Sequence, residues 1–228
     1  MSEESWSSSA ATAALERFLG VPFRRQTYRN LAYLLLAFPL GIAYVTVVTT
    51  GLSTGVGLAV TLVGVPLVVA TLAVSLGIGT FEARLATWLL DVEIDPATPD
   101  LPDDLWSVDG LATATRRLLT ARSTWTSLLV VALKFVFGVG AFVGVVTAAS
   151  VTGSLLTMPL YYDAPGVTYT VGPYVVDTLA EAVAGAGVGL VTLVVGLHVL
   201  NGVARLGGLL TGALLDADTA LVAGGADA

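Results

Sequence analysis

The chain of 228 residues contains no cysteine, which excludes disulfides, thiol nucleophiles and cysteine-ligated zinc and leaves the redox compartment undefined. It has a single histidine, His198, so a transition-metal site would have to rest on carboxylates. Charge is scarce as well: 12% of residues are charged, against roughly 25% in an average soluble domain. Lysine occurs once, at Lys134, and the acidic total of 17 exceeds the basic total of 10. That balance disfavours a nucleic-acid surface. No Walker loop, HExxH helix, zinc spacing or Ser/His/Asp arrangement is present. A non-enzyme without cofactor or metal is the expectation.

What is there is apolar. Hydrophobic residues make up 55% of the chain and the mean hydropathy is +0.86. Residues 30–81 carry no charge over 52 positions, room for two spans of about 20 residues. Spans are expected at 31–50, 56–76, 126–150 and 179–200. The first apolar run is too long for a signal peptide and is followed at once by another. The expected fold class is an all-α membrane protein, a four-helix bundle built as two tandem helical hairpins.

Orientation follows from arginine. Arg17, Arg24, Arg25 and Arg29 precede the first span, Arg84 follows the second, Arg116, Arg117 and Arg122 precede the third, and Arg205 follows the fourth. The positive-inside rule then places both termini in the cytoplasm of a multi-pass cell-membrane protein. Carboxylates count little in that rule. The sequence pI near 4.5 resembles proteins of salt-loving archaea.

One sizeable exoplasmic segment remains, residues 151–178. Its stretches LLTMPLYY and VTYTVGPYVV are strand-like, and DAPG between them supplies a turn, so a β-hairpin cap is expected. Tyr161, Tyr162, Tyr169 and Tyr174 bring amphipathic rings, and Asp163, Asp177 and Glu181 bring negative charge. Either these rings anchor a structural cap in the headgroup layer, or the seven residues form a site for a cationic ligand, a metal ion or a proton.

Internal similarity divides the chain. An offset of 97 sets RQTYRNLAYLLLAFPLG at 25–41 over RSTWTSLLVVALKFVFG at 122–138, and an offset of 121 sets ARLATWLL at 83–90 over ARLGGLLT at 204–211. Two hairpins of shared orientation would form a parallel repeat about an axis along the membrane normal. The expected organisation is a cytoplasmic segment at 1–26 with a short amphipathic helix, a first hairpin at 27–94, an acidic Pro-rich linker at 95–107, a second hairpin at 108–215 and a flexible tail at 216–228. Amphipathic stretches at 9–23, 81–94 and 108–125 read as cytoplasmic interfacial helices, either lying in the headgroups or docking a partner. In the stretch 81–94, Phe81, Leu85, Trp88 and Leu89 form the apolar face, with Glu82 and Arg84 elsewhere.

Inside the spans, Pro39 with Gly41 and Gly64 with Pro66 are expected to bend the first and second helices, as a hinge or as static packing. Lys134 is an intramembrane charge and by default a functional suggestion, though snorkelling or simple pairing accounts for it equally well. His198 reads as a neutral or headgroup-bonded imidazole, and Asn201 as part of the same polar boundary.

The run from Thr27 to Leu90, with Phe38-Pro-Leu-Gly-Ile-Ala-Tyr44, Gly64-Val-Pro66 and the Glu82/Arg84 helix, resembles the sensor domain family of actinobacterial membrane histidine kinases and standalone haloarchaeal proteins. The resemblance extends over about 28–215. It implies a four-span sensory module whose stimulus the family does not fix, and whose output is expected from a separate cytoplasmic signalling partner. The other expected partners are the lipid bilayer and a second copy of the chain. An alternative is a small transporter or a structural subunit of a membrane complex, with a path past Lys134 and Glu181.

Overall fold

The computed structural model describes residues 16, 18–61, 63–95, 107–171 and 173–215. Its helices are α1 (Arg25–Gly57), α2 (Gly64–Leu90), α3 (Val108–Thr120), α4 (Arg122–Tyr161) and α5 (Leu179–Leu215), with one small sheet of β1 (Tyr169–Val171) and β2 (Tyr174–Val176). An apolar segment in lipid must satisfy its backbone internally, and a helix does this without partners. Four of the helices, α1, α2, α4 and α5, are long and apolar enough to cross a membrane. The expected helix at 9–23, the acidic linker and the tail lie largely or wholly outside the described residues.

The helices run longer than the apolar stretches alone predict, and this moves several boundaries. α1 continues through the expected turn at 51–55, and the chain reverses at a 3-10 turn, Ala59–Thr61, where Thr61 Oγ1 donates to the Leu58 carbonyl at 2.7 Å. Gly64 and Pro66 therefore stand in the first turn of α2 rather than in its middle. First-turn N–H groups have no helical acceptor, so Pro66 removes nothing there and starts the helix instead of bending it. A side chain at Gly64 would fall on the backbone of Gly55, Leu58 and Ala59. Pro39, by contrast, is inside α1, which continues on both sides of it.

α4 extends to Tyr161 and so takes LLTMPLYY, expected as a strand, into a helix. DAPG does turn the chain, with Gly166 at φ +82°, but between α4 and β1. The strands lie after it, pairing antiparallel as Tyr169 with Val176, Thr170 with Val175 and Val171 with Tyr174. The stretch 81–94 is likewise no separate interfacial helix: α2 runs on to Leu90, where Asp91 takes φ +53° and ends it.

By contacts the chain divides into two compact units. The larger comprises Ala32–Phe142 and the chain from Val203 onward. Within it α3 is capped by Ser107, whose Oγ accepts from the Gly110 N–H at 3.0 Å. Its Ala114 and Leu118 are fully buried against Val69, Leu72 and Leu76 of α2. The apolar stripe of α3 is thus spent on a helix face. The smaller unit, up to Leu31 with Val143–Gly202, holds the hairpin and the facing stretches of α4 and α5. A Cβ at Gly189 would meet Leu155 and Leu156, and one at Gly185 would meet Met158, so these helices approach through small residues.

Glycine also sets the crossing of α1 and α4 in the larger unit. A Cβ on Gly41 would fall 2.8 Å from the Phe135 Cα, and one on Gly138 would fall on the Ala37 carbonyl. Moving forward along α1 from 37 to 41 thus moves backward along α4 from 138 to 135. Val48 and Val131, farther along, share one core cluster. The two helices are antiparallel where they touch. Two hairpins inserted in the same direction would instead run α1 and α4 parallel, so this packing opposes the shared orientation expected from the repeat.

Residues 97 apart nevertheless carry the same local devices. Tyr28 OH donates to the Pro22 carbonyl at 2.7 Å and Trp125 Nε1 to the Leu119 carbonyl at 3.0 Å. The Thr27 and Thr124 N–H groups bond the Arg24 and Ala121 carbonyls. Gly41 and Gly138 are themselves such a pair.

Because the protein has no native cysteine, a pair introduced as Leu52→Cys and Leu128→Cys tests the helix directions. Both leucines pack on the same two clusters. Oxidation in native membranes should crosslink the pair in most molecules, seen as an internal loop on non-reducing gels after cleavage at the α2–α3 connection. Parallel insertion would set the residues at opposite ends of the span and give none.

Candidate functional site

In the larger unit, α2 turns Glu82 inward. Its carboxylate is 0% exposed and meets Lys134 Nζ of α4 at 2.5 Å, with the lysine side chain 3% exposed. Tyr44 of α1 donates its OH to the other carboxylate oxygen at 3.0 Å. Lys134 Nζ also stands 4.1 Å from the centre of the Tyr33 ring, within the range of a cation–π contact. Four side chains from three helices thus form one buried, overall neutral group.

The placement follows from helix geometry. Glu82, Ala83, Ala86 and Leu89 are the buried face at the end of α2, while Phe81 and Trp88 are 49% and 68% exposed. This reverses the amphipathic reading of 81–94: the aromatics face outward, as they do toward lipid, and the acid faces in. Lys134 lies twelve residues into α4, about 18 Å from its start at 1.5 Å per residue. It is paired rather than snorkelling. Other polar groups on α2 are satisfied within the helix, Thr71 Oγ1 on the Leu67 carbonyl and Ser75 Oγ on that of Thr71.

Tyr33, also 0% exposed, has a hydroxyl with no hydrogen-bond partner among the described residues. It lines a cavity of about 260 Å³ together with Lys134, Phe137, Gly207, Thr211 and several aliphatic side chains. Gly41 belongs to this neighbourhood too, since its contact is with the backbone of Lys134 and Phe135.

The smaller unit has a polar chain of its own. Arg29 donates to Gln26 at 3.4 Å, Gln26 to Asn30 at 2.9 Å, Asn30 to Asn201 at 2.7 Å and Asn201 to Thr27 at 3.1 Å. Thr27 passes on to the Val21 carbonyl at 2.9 Å. Asn201 is therefore a strut between α5 and the start of α1. His198, one turn earlier, stacks on Phe18 with ring centres 4.5 Å apart, and its Nδ1 lies 2.9 Å from the Val194 carbonyl. A ring nitrogen on a carbonyl is a donor, which assigns that proton to Nδ1.

The seven candidates expected on the exoplasmic side separate into three places. Tyr161 and Tyr162 stand at and just past the end of α4, with Asp163 exposed beside them. Tyr169 and Tyr174 share one face of the hairpin on diagonal positions. Asp177 and Glu181 belong to the start of α5. There the Glu181 carboxylate accepts from the Asp177 and Thr178 N–H groups at 3.3 Å, and Thr178 Oγ1 accepts from the Glu181 N–H at 3.3 Å. This is a capping box, so Glu181 is engaged with its own helix.

Sequence reasoning missed Glu82, Tyr33 and Tyr44. A signal for Glu82 was present: a lysine inside a span calls for a carboxylate at the same depth, and Glu82 is the first acid after the uncharged run. Ending the second span at 76 put it outside.

Removing one member of the pair leaves the other buried and uncompensated, which typically costs 3–5 kcal/mol. Lys134→Met should accordingly lower the thermal midpoint of the detergent-purified protein strongly. Glu82→Gln combined with Lys134→Met should regain more than half of that loss. Equal losses in the single and double variants would mean that the two charges are not coupled.

The family model described as "Putative sensor" matches residues 33–215, which covers all four side chains of the buried group. No curated protein and no solved structure gives a significant match. The four apolar helices and this match together point to a multi-pass membrane protein with a non-catalytic role. The match extends over most of the chain, and the protein belongs to this sensor family.

Proposed function

We propose that the protein is a membrane sensor module that relays an envelope or membrane stimulus to a separate cytoplasmic signalling partner, with the Glu82–Lys134–Tyr44 group as the element on which the stimulus acts. Family membership across 33–215 carries the sensory part of this reading. The buried pair supports the rest. A charge pair excluded from water has few intermediate arrangements, because any partial separation exposes each charge to an apolar surrounding. Such a lock between α1, α2 and α4 favours discrete states, the property that a switch requires.

Arg24, Arg25 and Arg29 around the start of α1 support a cytoplasmic N-terminus. The exposed hairpin and the tyrosines around it, beyond the end of α4, are the surface on which we place the stimulus. The alternative of a transporter draws on the buried charges, which mark many substrate paths. Yet the Lys134 charge is matched by Glu82 and the Glu181 carboxylate caps α5, so both residues expected on such a path already have a partner.

Crosslinking and pull-down from native membranes tests the relay. The comparison is wild type against a variant with residues 162–177 replaced by a Gly/Ser linker, which spares the α4 helix and the Thr178 cap. A cytoplasmic signal-transduction protein should be recovered with wild type, and its recovery should change at least twofold in the variant and in Lys134→Met. An unchanged partner set with both variants folded would end the relay reading and turn attention to flux measurements in proteoliposomes.

A further inference from the structure

We propose that the cavity between α1, α4 and α5 beside Lys134 is a binding site for a small, neutral, lipid-soluble carbonyl compound, of the size and flatness of a bicyclic quinone. The walls exclude most alternatives. They are aliphatic apart from Tyr33, Lys134, Phe137, Gly207 and Thr211, and the volume is about 260 Å³, just below the usual range for small-molecule sites. Tyr33 and Phe137 contribute two aromatic rings with centres 6.3 Å apart, a surface that favours a conjugated ring over a flexible chain.

The polar inventory sets the head group. The Tyr33 hydroxyl is buried without a partner among the described residues, and native proteins rarely leave such a donor unmet unless a ligand or water meets it. The Lys134 ammonium has three N–H donors, of which Glu82 takes one. Thr211 already donates to the Gly207 carbonyl at 3.0 Å. The polar groups of the lining are thus donors, and a carbonyl oxygen is the acceptor that suits them, reached at Tyr33 by a turn of its side chain, since the hydroxyl has no accessible surface in the free protein. The ligand is neutral because Glu82 already balances Lys134. An anion would bring a charge with no counterpart, and a cation would face the ammonium.

Access is from the lipid side. Val136 and Leu210, both on the cavity lining, are 66% and 52% exposed, and Leu133 is 40% exposed. An apolar rim of this kind admits molecules dissolved in the bilayer. Gly207 lets α5 close on the aromatic wall of the cavity, since a Cβ there would run into the Phe137 ring and crowd that of Tyr33.

This inference rests on the sensor reading only for its meaning as a stimulus; binding to the purified protein is measured without any partner, so the two readings fail separately. The probe is menadione, and its control is 2-methylnaphthalene, which has the same ring system without the carbonyls. The absence of cysteine removes thiol addition as an artefact. Titration of the full chain in detergent should give saturable one-site binding of menadione, with the control at least tenfold weaker. Tyr33→Phe deletes only the unpaired hydroxyl, so it should leave the thermal midpoint of the free protein unchanged or higher and weaken menadione at least tenfold. Leu210→Trp, on the exposed rim, should block entry and carries the test if Tyr33→Phe fails to fold. No saturable binding, equal affinity for the two compounds, or affinity unaffected by the variants would each overturn the proposal.

Discussion

The rest of the structure depends on the pairing of one base with one acid out of reach of water. Lys134 and Glu82 are both too polar to face lipid, and each is tolerable only because the other is there. That condition fixes the rotation of α2 and α4 about their own axes. With Glu82 inward, Phe81 and Trp88 must point out; with Lys134 inward, Tyr33 and Phe137 come to line one cavity. Tyr44 then brings α1 into the same group. A weakly amphipathic set of helices, whose apolar residues say little about which side faces inward, acquires a definite arrangement from a single ion pair.

Small residues act where the pair does not. Lipid tails are as apolar as the side chains they touch, so helix association within a bilayer leans on close packing rather than on the hydrophobic effect. Gly41 and Gly138 let two backbones meet at one crossing, and Gly51 and Gly55 do the same between α1 and α2 against Thr71 and Val68. The polar chain from Arg29 through Asn201 to Thr27 serves the smaller unit as the ion pair serves the larger. Both are groups of polar side chains that satisfy one another.

The number of apolar helices was legible in the sequence because it depends on length and hydropathy, which are additive along the chain. Where each helix ends was not, because backbone continuation past an apolar segment costs nothing locally. Residues 51–57 and 157–161 look like turn and strand by composition, yet they continue helices already under way. The same error of boundary hid Glu82. Its side chain looked like the polar face of a surface helix until α2 was seen to carry on to Leu90. The hairpin was legible in kind from its Tyr, Thr and Val content, but its register was not, since DAPG and the residues between β1 and β2 are both plausible turns. The partners of Lys134 required knowledge of which helices meet, and a periodicity does not contain that. The sensor resemblance, carried by residues such as the Phe38–Tyr44 run, needed no such knowledge and agrees with the family match.

The ion pair also has a consequence for how the chain is made. Glu82 leaves the ribosome 52 residues before Lys134, a delay of about 3–10 s at ordinary rates of synthesis. During that interval α2 carries a carboxylate that lipid resists by about 2.5–3.5 kcal/mol at the centre of a span, with no base yet available to match it. The second helix therefore has reason to wait at the insertion machinery until the fourth arrives. Biogenesis of the two hairpins is then a single coupled event, timed by the distance in sequence between an acid and a base.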